Sequence, residues 1–118
     1  MLNRFITIHN INKIKYIYMK GVKEIGFIEY RRGNNIFNIT NLQVNKEDCS
    51  KGNGSILLNY FEKQIKKEND INEIKVCCTD KSKKFYKKNG YISDKLYDNG
   101  IDIHFHYHKI LKDDRLEP

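Results

Sequence analysis

The chain between Val44 and Leu58 has residue types in an order that could bind a phosphorylated ligand. A strand-like run ends there, a loop with Gly52 and Gly54 follows, and a helical pattern begins. Glycine lets the backbone approach a ligand closely and adopt positive φ. The first amide N–H groups of a helix have no partner within the helix, and the helix dipole favours an anion beside them. The segment therefore predicts a phosphate or pyrophosphate site.

Two other phosphate-binding patterns do not fit this segment. The P-loop requires Gly-x-x-x-x-Gly-Lys-Ser/Thr, and no such run occurs in the chain. The dinucleotide fingerprint requires a third glycine within a parallel strand–helix–strand unit, and Leu57 stands at that position. The glycines alone leave the class of anion open.

A second notable segment runs over residues 79–91. A Phe85-Tyr86 pair lies on a short, lysine-rich helical stretch that closes with Gly90 and an aromatic residue. Gly90 stands where a left-handed residue ends a helix, and Asp80 is placed to cap the start of the helix. The simplest interpretation of the crowded lysines is a solvated helix face.

The remaining sequence predicts the elements that must position these segments. Strands are expected over residues 4–9, 13–19, 22–31 and 36–44, with turns at 10–12, 20–21 and 32–35. Apolar spacings of three and four predict a helix from Gly54 to about residues 69–70. A strand over 71–78, a helix over 81–89 and a hairpin of 91–97 with 101–111, turned at Asp98-Asn99-Gly100, complete the pattern. This β-β-β-β-α-β-α-β-β order predicts an α+β fold with a mixed, mostly antiparallel sheet.

Three details of side-chain direction follow from strand alternation. Ile36, Leu42 and Val44 are expected on one face of their strand, with Phe37 and Ile39 on the other face. Gly26 within a strand predicts a bulge or close packing. The adjacent Cys77 and Cys78 should point to opposite faces, and both are interpreted as buried strand residues.

The 118-residue chain has the size and composition of one globular domain, so we predict a single domain over residues 1–118. Its formal net charge of +7 favours a polyanionic ligand, either a multiply phosphorylated cofactor or nucleic acid, although a lysine-biased proteome would also explain the charge. Cys49, Cys77 and Cys78 form a poor disulfide framework, which predicts a reducing cytoplasm. No apolar run is long enough to span a membrane.

The two segments together resemble the GNAT N-acetyltransferase superfamily. The acetyl-CoA loop of this family reads Val-x-Pro-Glu-x-Arg/Gln-Gly-x-Gly-x-Gly/Ala, and residues 44–54 align with it without a gap. The second family signature is a tyrosine followed after three residues by Gly-Phe, and it aligns with Tyr86-Lys87-Lys88-Asn89-Gly90-Tyr91. The resemblance covers Val22 to Leu111 and includes the order of elements.

The resemblance implies an acetyl-CoA-dependent N-acetyltransferase in which a primary amine attacks the thioester directly, without a covalent enzyme intermediate. Backbone groups of Leu42 and Val44 would hold the pantetheine arm. Tyr86 would contact the thioester sulfur and protonate the leaving thiolate. The cofactor-binding residues that it implies are Leu42, Val44, Cys49, Lys51, Gly52, Asn53, Gly54, Ser55, Thr79, Ser82 and Tyr86.

The chain departs from the family pattern at both ends of this site. Cys49 replaces the usual Arg or Gln, Ser50 a usual Gly and Lys46 a usual Pro, while Lys51 supplies a compensating charge. The family usually has two helices between its first two strands, where this chain has only a short turn. The acceptor pocket is therefore expected to be open, or to be completed by a second subunit in a homodimer.

Several alternatives remain at this point. Glu29 and Glu47 are candidate bases for the amine, or surface acids, and Tyr86 could be a core aromatic beside Phe85. The protein could also be a non-catalytic CoA-binding module. A nucleic-acid-binding module is disfavoured, because the charge is lysine-heavy and arginine-poor and no nucleic-acid motif occurs.

The last strand carries His104, His106 and His108 on one face, opposite Phe105 and Tyr107. Three histidines can bind Zn²⁺ or Ni²⁺. Same-face positions on a single strand lie almost in a line, which suits a tetrahedral ion poorly. We therefore predict a polar face without a metal, either uncovered or at a dimer surface.

Overall fold

The structure is a computed structural model, which describes residues 3–68, 73–94 and 104–111. The described part has the predicted α+β class and element order. Its elements are β1 (Asn3–His9), β2 (Ile14–Lys20), β3 (Lys23–Gly33), β4 (Ile36–Val44), a 3₁₀ turn (Lys46–Asp48), α1 (Asn53–Glu68), β5 (Glu73–Thr79), α2 (Asp80–Lys88), β6 (Ile92–Ser93) and β7 (His104–Ile110).

The strands form one seven-stranded sheet in the order β1-β2-β3-β4-β5-β7-β6. Among the described strands, only β4 and β5 are parallel, and they pair at three positions, from Phe37 with Ile74 to Ile39 with Val76. Every other neighbouring pair is antiparallel. The parallel pair is joined through α1, as a crossover connection requires. Both helices begin at the carboxyl end of this pair, because α1 follows β4 and α2 follows β5.

Both helices pack on the same face of the sheet, which we call the covered face. The apolar side of α1 contributes Leu57, Leu58, Phe61 and Ile65, each at most 1% exposed. Burial of such a side chain stabilises the fold by roughly 1.5–3 kcal/mol. Aromatic side chains of β2, β3 and α1 fill the space beneath α1, and the hydroxyl groups of Tyr16 and Tyr30 lie 3.0 Å apart.

The predicted alternation along β4 is wrong. Phe37 and Ile39 are buried in the same core cluster against which Leu42 and Val44 pack. The β3–β4 register shifts so that Thr40 has no partner in the ladder. One extra residue of this kind reverses the side-chain alternation beyond it. Both halves of β4 therefore turn apolar groups toward the helices.

The prediction of close packing at Gly26 is confirmed. A Cβ atom at this position would lie 2.4 Å from the carbonyl oxygen of Gln43 and 3.2 Å from Leu57. A side chain at residue 26 would therefore push β4 and α1 away from β3. The β2–β3 register also shifts beside this residue.

Some predicted details of the second half need correction. Asp80 is the first residue of α2 and not its N-cap, which is Thr79 without a side-chain capping hydrogen bond. The Asp80 carboxylate instead lies 2.7 Å from the Lys83 ammonium, which lowers the pKa of Asp80. Cys77 is exposed rather than buried, although it and the buried Cys78 do lie on opposite faces as expected. Gly90 has a φ of 91°, as its predicted position after the helix requires.

Several predictions fall outside the described residues. These are the end of the first helix near residues 69–70, the start of the next strand at 71–72, residues 95–97 and 101–103 of the final hairpin, and its turn at Asp98-Asn99-Gly100. Neither of the described helices is long and apolar enough to cross a membrane.

The second face of the sheet carries no helix in the part of the chain that the structure describes, and we call it the open face. β1 and β2 form a direct hairpin, in which the amide of Asn10 donates a hydrogen bond to the carbonyl of Lys13 at 2.9 Å. Ile6 and Ile8 on this face are 37% and 40% exposed. Within the described residues of this chain, no helix covers this side of the sheet; whether a second subunit completes it stays a prediction.

Candidate functional site

The parallel strands β4 and β5 separate at the carboxyl end of their short ladder. Their last pair is Ile39 with Val76, but β4 continues to Val44 and β5 to Thr79. Because β5 does not pair with β4 beyond Ile39, a gap opens in the sheet between these described stretches. Leu42 and Val44, whose backbone groups are predicted to hold pantetheine, lie on β4 along this gap.

The glycine loop lies at the end of β4 and leads into α1. Gly52 has a φ of 81°, and Ser50 has the positive φ of 62° at a position where the resembled family usually has glycine. α1 has 16 residues and no acidic side chain in its first turn, so its dipole there is not neutralised from within the helix. The predicted phosphate ligands Lys51, Gly52 and Ser55 lie in this loop and first turn.

Internal hydrogen bonds fix the shape of the loop. The side-chain amide of Asn53 donates to the carbonyl of Asp48 at 3.0 Å, and the Cys49 thiol donates to the carbonyl of Val44 at 3.5 Å. The backbone amide of Asn45 donates to the carbonyl of Ile25 at 2.9 Å. Cys49 and Asn53, both predicted to contact phosphate through the loop, therefore also have a structural role.

The ammonium group of Lys23 lies 3.3 Å from the buried Asp48 carboxylate and 3.5 Å from that of Glu47. Both carboxylates raise the pKa of Lys23, and the contribution of Asp48 is the larger. The positive charge of Lys23 offsets the negative charges of Asp48 and Glu47, which would otherwise repel an anion at the glycine loop. Sequence reasoning missed Lys23, because the contact joins the start of β3 to a loop more than 20 residues away.

Tyr86 lies buried on α2, next to Phe85, which packs against the start of α1. Its neighbour Phe85 fills the space above Gly54, where an added Cβ would lie 3.0 Å from the Phe85 ring. The Tyr86 ring is 5% exposed, with its centroid 5.4 Å from that of Tyr91. Burial, assisted by Cys78, raises the pKa of Tyr86 and keeps the phenol protonated as a proton donor.

The remaining predicted site residues are spread around these elements. Thr79 and Ser82 lie at the start of α2, where β5 ends. Glu47 is 65% exposed and lies before the glycine loop. Glu29 is half-buried on the open face of β3 and pairs with Asn41 of β4. The fold thus brings the glycine loop, Tyr86 and the start of α2 to one end of the sheet, whereas the two candidate bases lie apart from each other.

A buried polar cluster supports the helix that carries Tyr86. Glu62 of α1 accepts a hydrogen bond of 3.0 Å from the Tyr91 hydroxyl and one of 2.9 Å from the Lys109 ammonium. Lys109 also donates to the carbonyl of Asn89 at 2.8 Å. The backbone amide of Tyr91 donates to the carbonyl of Tyr86 at 3.0 Å. Sequence reasoning missed this cluster. A signal was nevertheless present in the sequence: Glu62 is a charged residue that interrupts the apolar stripe of α1.

On the open face, a cleft of about 340 Å³ lies over the paired part of β4 and β5 and over the neighbouring β7. Its polar lining residues are Asn38, Lys75, Cys77, Asp94 and His106, and Ile39, Val76 and Tyr107 complete it. The predicted polar face of the last strand therefore includes the half-buried His106 and His108, while Tyr107 points into the core. No group of three metal-ligating side chains occurs among the described residues.

Residues 2–111 match the family model described as Acetyltransferase (GNAT) domain. A solved PaiA N-acetyltransferase of Thermoplasma acidophilum, in complex with coenzyme A, is similar at 26% identity and a TM-score of 0.73, over 86% of this chain and 62% of that one. A Bacillus anthracis str. Ames protein in complex with acetyl coenzyme A is similar at 26% identity and a TM-score of 0.72, over 89% and 66%. The chain thus spans slightly less than two thirds of the length of these relatives. No curated protein matches it significantly.

Proposed function

The chain belongs to the GNAT acetyltransferase domain family, and from this premise we propose that it transfers an acetyl group from acetyl-CoA to a primary amine. The observation that carries the proposal is the convergence of three features at one end of the sheet. These are the gap between β4 and β5, the glycine loop at the start of α1, and the buried phenol of Tyr86. The coenzyme A and acetyl coenzyme A complexes of the two similar proteins support the choice of donor.

In this proposal the cofactor binds along the gap. The pyrophosphate lies against the loop and first turn formed by Cys49, Lys51, Gly52, Asn53, Gly54 and Ser55. Backbone groups of Leu42 and Val44 hold the pantetheine arm, and Thr79 and Ser82 border it from α2. The free N–H groups of α1 provide the hydrogen-bond donors, and Lys51 adds positive charge in place of the family Arg or Gln.

The reaction is a direct transfer. The amine nitrogen attacks the thioester carbonyl carbon, the C–S bond breaks, and the departing sulfur receives a proton or hydrogen bond from the Tyr86 hydroxyl. The amine loses its proton through water to Glu29, which lies on the open face one strand from the gap. Glu47 is the less suitable of the two carboxylates, because it lies before the phosphate loop and is paired with Lys23.

Calorimetry with acetyl-CoA, combined with steady-state kinetics, tests the proposal. We expect Tyr86→Phe to lower kcat by about a hundredfold, the lower end of the range for acid catalysis, and to leave the Kd for acetyl-CoA unchanged. Tyr60→Phe is the matched control. It removes a hydroxyl from a ring stacked on Phe5 at a distance of 3.7 Å, away from the gap. Absence of binding at millimolar acetyl-CoA would refute the proposal, and an equal loss of binding and turnover in Tyr86→Phe would refute the acid role.

A further inference from the structure

The helix that carries Tyr86 ends in a turn that a buried ion pair holds in place. Glu62 of α1 is 8% exposed, and its carboxylate lies 2.9 Å from the ammonium of Lys109 on β7. The same ammonium donates to the carbonyl of Asn89, the residue after α2, at 2.8 Å. The Lys109 chain also passes over Gly90, where an added Cβ atom would lie 3.4 Å from it. Lys109 therefore connects α1 and β7 to the end of α2.

Tyr91 connects this ion pair with the ring of Tyr86. The Tyr91 hydroxyl donates to the Glu62 carboxylate at 3.0 Å. Burial, followed by the charge of Glu62, raises the pKa of Tyr91, so the hydroxyl stays a donor. The backbone amide of Tyr91 donates to the carbonyl of Tyr86 at 3.0 Å. The two rings meet edge to face, with centroids 5.4 Å apart and planes at 70°. A rotation of Tyr91 would therefore displace the ring of Tyr86.

Stability alone does not account for a charged pair at this position. Replacement of a buried ion pair by apolar side chains of similar volume is often neutral or stabilising, because taking charges out of water is costly. An apolar cluster would lack direction, since a hydrogen bond fixes the angle between the groups that it joins. Three such bonds meet at this pair, two at the Glu62 carboxylate and one from Lys109 to the Asn89 carbonyl. The pair therefore suits a part of the molecule whose geometry must be precise.

We propose that Glu62 and Lys109 are positioning residues for the acetyl transfer. Through Tyr91 they hold the hydroxyl of Tyr86 at the sulfur of the departing thiolate. This inference rests on the proposed function, in which Tyr86 donates the proton. An acid catalyst contributes only within hydrogen-bond distance of the atom that it protonates, and a displacement of about 1 Å can cost roughly a hundredfold in rate.

Glu62→Gln and Tyr91→Phe test the proposal with small changes of shape. The first variant removes the charge of the carboxylate, and the second removes one hydroxyl group. We expect kcat to fall by about tenfold in Glu62→Gln and by about threefold in Tyr91→Phe. The Kd for acetyl-CoA should be unchanged in both, because the glycine loop is not part of the cluster. Release of the CoA thiol well below the unfolding temperature gives kcat, and calorimetry gives Kd.

Tyr16→Phe is the matched control for Tyr91→Phe. It also removes a buried phenol hydroxyl from a hydrogen bond of 3.0 Å, here with Tyr30. That pair lies on β2 and β3, whereas α2 packs against β5, β6 and β7. Asp80→Asn is the control for the loss of a carboxylate, because Asp80 lies on α2 itself and its pair with Lys83 is exposed. Both controls should leave kcat at the wild-type value.

A double-mutant cycle separates positioning from general destabilisation. In a Tyr86→Phe background no phenol hydroxyl remains to be positioned, so Glu62→Gln should cause almost no further loss of kcat. Lys109→Met should show the same dependence on the Tyr86 hydroxyl. A substitution that merely loosened the fold would lower kcat by the same factor in both backgrounds.

The outcomes distinguish this inference from the function on which it rests. If acetyl-CoA does not bind, or if Tyr86→Phe leaves kcat unchanged, the proposed function or its acid fails, and this inference fails with it. If Tyr86→Phe lowers kcat but Glu62→Gln does not, the positioning role alone is overturned. It is also overturned if Glu62→Gln costs as much without the Tyr86 hydroxyl as with it, or if Tyr16→Phe lowers kcat as much as Tyr91→Phe.

Discussion

Cys77 and Cys78 are consecutive residues of β5, yet they lie on opposite faces of the sheet in different surroundings. Cys78 is 6% exposed on the covered face, where burial is the main cause that raises the pKa of its thiol to about 11. Cys77 is exposed and lines the cleft on the open face. The comparison shows that one strand has two surroundings: its inward residues pack in the core, and its outward residues border an open cleft.

The same division holds across the sheet. The covered face carries a continuous apolar cluster that runs from the aromatic residues of β2 to Tyr107 of β7. The open face changes character along the sheet. Its first strands carry apolar groups such as Ile6, Ile17 and Phe27, while polar side chains, among them Asn38, Lys75 and His106, border the cleft over β4, β5 and β7. Stability should therefore depend more on the covered face than on the open face.

The largest expected effect on stability comes from breaking the covered face. Phe61→Ala should lower the free energy of unfolding by about 3–5 kcal/mol, because the ring is fully buried and contacts such as that with Tyr30, 4.7 Å between centroids, would be lost. Ile6→Ala on the open face should cost less than about 1 kcal/mol, since its side chain is 37% exposed. Urea denaturation measures both, and similar costs would contradict the division between the faces.

The sequence was sufficient to predict much of the covered face. The apolar spacing of three and four predicted α1, and β4 was predicted over the residues that form it, because both patterns are local. Gly90 was recognised as the end of α2 from its residue type alone, and its φ of 91° agrees. These predictions needed no knowledge of which segments meet.

Other features depend on contacts between distant segments and could not be predicted. The unpaired Thr40 in β4 is a consequence of the register between β4 and β3. No residue type in the strand indicates that a residue is left unpaired there. The contact of Lys23 with Asp48 and that of Lys109 with Glu62 each join two segments far apart in the chain. The cleft is formed by residues of three strands and by Asp94, which follows β6, so only the assembled sheet reveals it.

An intermediate effect is expected from the ion pair buried on the covered face. Lys109→Met leaves the Glu62 carboxylate, in a residue 8% exposed, without its cation, and should cost about 2 kcal/mol. This expected loss of unfolding free energy is smaller than for a fully buried ion pair, because the Lys109 side chain is 25% exposed. The measurement is again the urea midpoint.

The ion pair of Asp80 with Lys83 on α2 provides the control for this prediction. Its nitrogen–oxygen distance is 2.7 Å, but the side chain of Asp80 is 73% exposed. Solvent screening should make the cost of Lys83→Met clearly smaller than that of Lys109→Met. If that variant loses as much stability as Lys109→Met, burial is not what makes the Glu62 pair important.

The most direct comparison of the two faces is the pH dependence contributed by Cys78. Its pKa is raised from 9.0 to about 11, so between these values an unfolded chain loses the thiol proton while the folded chain keeps it. The unfolded state then binds fewer protons, and stability falls as pH rises through this window. We expect the fall in the urea midpoint from pH 9 to 11 to be shallower in Cys78→Ala than in the wild type.

Cys77→Ala serves as the control, because it removes a thiol from the neighbouring position on the open face. Burial also raises the pKa of Tyr86 and Tyr91, which makes stability fall at high pH in all three proteins. The difference between the slopes reports Cys78 together with two lesser effects, because the charge of Cys77 also raises the pKa of Cys78 and the charge of Cys78 also raises the pKa of Tyr86. It does so even if Cys78→Ala is less stable at every pH because of the cavity that it leaves. If Cys77→Ala flattens the pH dependence as much as Cys78→Ala does, the two thiols do not have the different environments that the two faces give them.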